Sequence, residues 1–224
     1  MLNRLLETWE RKWGRYAVRH LMLIVLTGMV AVYIFDLLLT LKPDAGWSFT
    51  SLFCYDFARI RAGEIWRLIT FIFIPPPVEP LFAVFEFYLL WLFGRGLEQR
   101  WGSFRFNAFF FIGMVLTAAA GCFIGTANND FILISIFLAF AILYPEFEML
   151  LFFIIPVKIK WLGWLTAAGL VFWFIIGSWT SRIQILVSLA NLFLFFGGAC
   201  FSRLSPHLRK QYHIFRRSRI KKSK

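Results

Sequence analysis

Residues 21 to 41, LMLIVLTGMVAVYIFDLLLTL, form an apolar run interrupted only by Asp36. About 20 mostly apolar residues are what a helix needs to cross a bilayer. In water the same helix would have no polar face to present. Further apolar runs at 78–96, 107–126, 130–145, 161–179 and 183–201 repeat the pattern. The chain therefore reads as an all-α integral membrane protein with six transmembrane helices. Its 16% charged residues against 60% hydrophobic exclude an ordinary soluble domain, where about 25% are charged. Cys54, Cys122 and Cys200 are odd in number and scattered, so they make neither a disulfide framework nor a CxxC pair.

Between the first two spans lies a loop, 42–77, ending in Pro75, Pro76 and Pro77. Its apolar stretch 68–78 is too short to cross. Three prolines remove three amide donors, and such a backbone survives in lipid only where protein or water satisfies it. A partly membrane-immersed loop is expected. Basic residues set the orientation. Arg4, Arg11, Lys12, Arg15 and Arg19 precede the first span, Arg95, Arg100 and Arg105 follow the second, and Lys158 and Lys160 follow the fourth. The tail 203–224 adds nine basic residues and no acid. Six crossings put all of these on one side, so both termini are expected in the cytoplasm. The 42–77 loop carries Arg59, Arg61 and Arg67 with acidic company and crosses as a folded unit. Residues 1–20 place Leu2, Leu5, Leu6, Trp9 and Trp13 on one face, the pattern of an interfacial helix. No cleavable signal is expected, because the first apolar run is too long for one. The tail has only Tyr212 and Phe215 among its charges, and is read as a topology anchor touching anionic lipids rather than nucleic acid.

Two stretches carry more than hydropathy. One is Gly63-Glu64-Ile65-Trp66-Arg67-Leu68-Ile69-Thr70 in the loop. The other is Leu92 to Phe106, with Gly94, Leu97, Glu98, Gly102 and Arg105, read as a turn between spans two and three. Together with Ala139 to Pro145 and Phe152 to Trp161, in the same order, they resemble the rhomboid-like superfamily over about residues 15 to 203. The resemblance implies a six-helix bundle and a first outer loop that locally thins the bilayer and helps substrates enter sideways. Independently of it, Trp66 suits the interface, and Arg67 can carry its guanidinium to phosphates or loop carbonyls.

The resemblance also implies where catalysis would sit: a serine in span four and a histidine in span six to take its proton. The histidines here are His20, at the cytoplasmic mouth of span one, and His207 and His213 in the tail. The positions matching the family's catalytic and oxyanion sites are Asp130 for the serine, Asn191 for the histidine, and Glu86 and Phe82 in span two. A carboxylate at an oxyanion site repels the charge it should stabilise. The chain thus resembles a rhomboid pseudoprotease, near the derlins, with no catalytic residues. Ser135 and Ser188 read as packing residues, as do Gly121 with Gly125 and Ser135 with Ala139, whose spacing lets backbones approach closely.

Acids at membrane depth are functional candidates. Glu86 and Asn191 are expected to line a wet, outward-open cleft for client transmembrane segments; alternatively Glu86 is protonated, or paired with Arg67 or Arg59. No cofactor or metal is implied, since no His/Cys/Asp cluster has ligand spacing. The expected role is binding transmembrane clients and affecting their folding, trafficking or degradation. Two competitors are an active intramembrane serine protease using Ser135 or Ser188, and a proton-coupled transporter using Glu86 and Asp36. A bacterial inner membrane suits the short loops, with the endoplasmic reticulum or another organelle membrane as the alternative.

Overall fold

The structure, a computed structural model, describes residues 9–12, 14–40, 48–151 and 155–196. The basic tail, His207, His213, Cys200 and most of the expected interfacial segment lie outside the described residues; of that segment, a helical turn over 9–12 and a 3-10 turn over Gly14–Tyr16 are described.

The long elements are α1 (Leu21–Thr40), followed in the loop by α2 (Phe49–Phe53), β1 (Tyr55–Asp56), α3 (Phe57–Arg61) and α4 (Arg67–Thr70). Then come α5 (Pro80–Trp101), α6 (Ser103–Ile124), β2 (Thr126–Ala127), α7 (Asp130–Leu143), β3 (Glu148–Leu151), β4 (Ile155–Lys158) and α8 (Ile159–Ile176). The last, α9, is Trp179–Phe196. Five helices are long and apolar enough to cross a membrane, while α7 has only 14 residues. This is a mostly helical, multi-pass membrane architecture.

Several boundaries differ from the sequence reading, each for a local reason. The stretch taken as a turn around Gly94 is helical: α5 runs through to Trp101, and the break comes at Gly102, whose φ of +84° suits glycine. α5 opens on Pro80, where the missing amide would have no partner anyway. Gly125, at φ +93°, closes α6. α7 stops at Leu143 because Tyr144 precedes Pro145 and is pushed out of the helical region. Spans five and six begin earlier than expected, at Ile159 and Trp179. The connection between the fourth and fifth runs contains the antiparallel pair β3–β4.

α7 is the central post. It packs on α5, α6 and α8, and its Ile136 and Ala139 are fully buried. In lipid there is no water to expel between helices, so close van der Waals approach holds them together. Glycines provide that approach. A Cβ on Gly94 would lie 2.3 Å from Met22 Cγ of α1, and one on Gly96 2.5 Å from the Phe140 ring of α7. Gly121 does not seat a helix: its bare face admits the ring of Tyr55, whose hydroxyl donates to Ala118 O at 2.9 Å. β1 then pairs with β2, pinning the loop to the α6–α7 connection.

Candidate functional site

The 42–77 loop is built around Arg67, which is 1% exposed. Its guanidinium pairs with Glu64 and donates to Ser51 O at 2.9 Å and Cys54 O at 2.7 Å. Of the two ends the sequence allowed, phosphates or loop carbonyls, the structure has the carbonyls. Trp66 beside it is exposed, with Ile65 and Ile69, giving the loop one apolar outer face. Asp36 holds the loop to α1 by accepting from the amides of Phe49 and Thr50 and from the Thr50 hydroxyl. Those bonds occupy the carboxylate that the transporter reading needed as a relay.

Protein groups satisfy carbonyls on both sides of the proline run. Asn129, at the start of α7, donates to Ile72 O at 3.2 Å and Ile74 O at 2.8 Å. Tyr33 of α1 donates to Val78 O at 2.9 Å. Neither residue was singled out from the sequence. The signal for Asn129 was present: a polar Asn-Asn-Asp run directly before an apolar one marks a helix start whose side chains must find partners.

Two cavities flank this arrangement. One, of about 420 Å³, lies between α1, the prolines and the start of α7, with Tyr33, Asp36, Asn128, Asn129 and Asp130 on its walls. The second, of about 610 Å³, opens between α5, α7 and α8 and carries Phe82, Glu86, Asp130, Leu133, Phe137 and Thr166. Asp130 borders both. Three of the four site positions expected from the sequence (Phe82, Glu86 and Asp130) therefore share one groove.

The fourth does not. Asn191 is fully buried between α9 and α6, where its amide donates to Phe109 O at 3.3 Å and abuts Gly113. The expected Glu86–Asn191 cleft is thus corrected to Glu86–Asp130, because the helical register turns Asn191 toward α6. The alternative pairing of Glu86 with Arg67 or Arg59 is not made either: Arg67 binds Glu64 and Arg59 binds Asp56.

α7 and α9 meet instead through Ser135 and Ser188. Both are buried, their hydroxyl oxygens 2.8 Å apart. Ser135 Oγ also lies 2.8 Å and Ser188 Oγ 3.0 Å from Phe131 O, so the two hydroxyl protons are shared among each other and this carbonyl. His20 lies at the other end of the bundle, at φ +58°, with its backbone amide donating to Glu98 at 2.9 Å.

Glu98 is a second hub. It also accepts from Ser103 at 2.6 Å, tying the starts of α1 and α6 to α5. Leu97 beside it is fully buried. Arg105 pairs with Glu10 at 3.0 Å and Asn107 donates to Val18 O at 3.1 Å, drawing the segment before α1 against α6. The residues expected to make a turn motif are therefore the bundle's fastening at this end. At the hairpin, Glu146 bridges Lys158 at 2.7 Å and Lys160 at 2.6 Å, and these cations hold its carboxyl down to about 2.

The fold and these cavities define a multi-pass helical membrane protein with a groove between α5, α7 and α8. No family model matches the chain, and no curated protein matches it.

Proposed function

We propose that this chain is a catalytically inactive rhomboid-like membrane protein that binds transmembrane segments of other proteins and affects their folding, trafficking or degradation. The observation that carries the reading is the Ser135–Ser188 link. In the resemblance, spans four and six carry the nucleophile and its base. In this chain the two buried hydroxyls at the α7–α9 contact are spent on each other and on the Phe131 carbonyl. A hydroxyl with no base beside it is a poor nucleophile, and His20 sits at the start of α1, where its backbone amide donates to Glu98 at the other end of the bundle. The groove between α5, α7 and α8 then serves as a docking site.

In this reading α7, although short, counts as the fourth of six crossings, and both termini are cytoplasmic with the basic tail on anionic lipids. A bacterial inner membrane is the preferred location. The test is fluorophosphonate labelling alongside cleavage of a reporter transmembrane segment by the purified protein in bilayers. Neither labelling nor cleavage is expected, and Ser135→Ala with Ser188→Ala should change neither result. Their melting should fall only slightly, since hydrogen bonds between membrane helices average about 0.6 kcal/mol. Labelling that disappears with either serine would overturn the proposal and favour the active protease.

A further inference from the structure

The groove between α5, α7 and α8 is apolar along most of its length, walled by Phe82, Leu89, Leu133 and Phe137, yet two carboxylates, Glu86 and Asp130, are set into it. Among the described residues, no lysine or arginine lines the groove. An apolar trough carrying two acidic side chains complements an apolar rod carrying positive charge. Resting on the client-binding reading above, we infer that this groove docks a partner's transmembrane helix that carries a lysine or arginine level with Glu86.

Depth separates this occupant from a lipid. Glu86 lies about 9 Å along α5 from Pro80, at about 1.5 Å rise per residue, within the span rather than at its end. A headgroup amine stays at the surface. A helix side chain is delivered at whatever depth the helix places it, and a lysine or arginine stem is apolar enough to lie along Phe82 and Phe137. Thr166 on α8 adds a hydroxyl across the groove. An unpaired cation in a bilayer is costly, so a client bearing one has most to gain from this groove. Selection therefore favours membrane proteins that have not yet found their own polar partners.

The test uses the full-length chain in phosphatidylcholine nanodiscs with synthetic leucine–alanine transmembrane peptides bearing a photoreactive residue. One peptide carries a lysine at the depth of Glu86, a second leucine there, and a third the lysine near its opposite end. The first should crosslink to α5 or α8 at least about tenfold more than the other two, since close charge pairs couple by this much or more. Glu86→Gln with Asp130→Asn should abolish the difference, while Glu86→Asp, which keeps the charge, should retain it and guards against a folding defect. Equal capture of lysine and leucine peptides would overturn the charge selection and leave the client-binding reading intact. Crosslinking of no peptide, or to lipid alone, would overturn both.

Discussion

Replacing Arg67 with methionine keeps the stem and removes the guanidinium, so it isolates what the head group does. The loss comprises the ion pair to Glu64 and two donations to the carbonyls of Ser51 and Cys54. Breaking a buried pair by removing one partner costs about 3–5 kcal/mol. Two details set the lower end. The Glu64 side chain is 32% exposed, so water can resolvate it. One terminal nitrogen of Arg67 is buried without a partner among the described residues, a cost the substitution relieves. About 3 kcal/mol is expected, which is about a hundredfold in the opening of the loop. The assay is maleimide labelling of Cys54, whose carbonyl Arg67 holds, with Cys122 and Cys200 changed to alanine. Chemistry alone would push the rate the other way. Burial raises the Cys54 thiol and Arg67 pulls it down, so losing the cation makes less thiolate. Faster labelling can therefore come only from opening. Glu64→Leu in the Arg67→Met background should recover part of the loss. Labelling as slow as in the native chain would refute the idea that Arg67 holds the loop.

Two further outcomes follow from named contacts. Gly94→Ala should lower stability by about 1–2 kcal/mol, because overpacking against Met22 outweighs the roughly 1 kcal/mol gain in helix propensity; a thermal-melt cycle with Met22→Ala should give less loss than the sum of the single changes. The β3–β4 hairpin should loosen in acid. The folded Glu146 carboxyl is held at about 2, below its ordinary 4.5, so its contribution is complete above that ordinary value and is lost as pH falls toward about 2. Amide protection factors in β3 and β4, corrected for the intrinsic pH dependence of exchange, should fall over this window in the native chain and stay flat in Glu146→Gln, with high salt shrinking the effect.

Helix identity was legible because membrane spans are encoded by composition over a long window, and α1, α5, α6, α8 and α9 all announce themselves that way. Their ends were not, because ends depend on single residues. Gly94 and Gly102 look alike in sequence, yet one sits in a helix against Met22 and the other turns the chain. The groove was half legible: Glu86 and Asp130 stood out as acids in apolar runs. Asn191 was misplaced because which side of α9 meets α6 depends on how helices distant in sequence pack, and period alone does not reveal that. The hairpin was missed because Met149 to Lys158 is apolar without a clear alternation.

The brevity of α7 has a bearing on where such a protein is at home. Its 14 residues give about 21 Å, against a hydrocarbon core of about 30 Å. The neighbouring helices can tilt to suit a bilayer, but a post enclosed by them has less freedom to do so. Mismatch of this kind costs a fraction of a kcal/mol per Å and sorts proteins by thickness. In the six-crossing reading proposed above, membranes thickened by sterol should therefore strain the bundle from its middle outward, and thin ones should relax it.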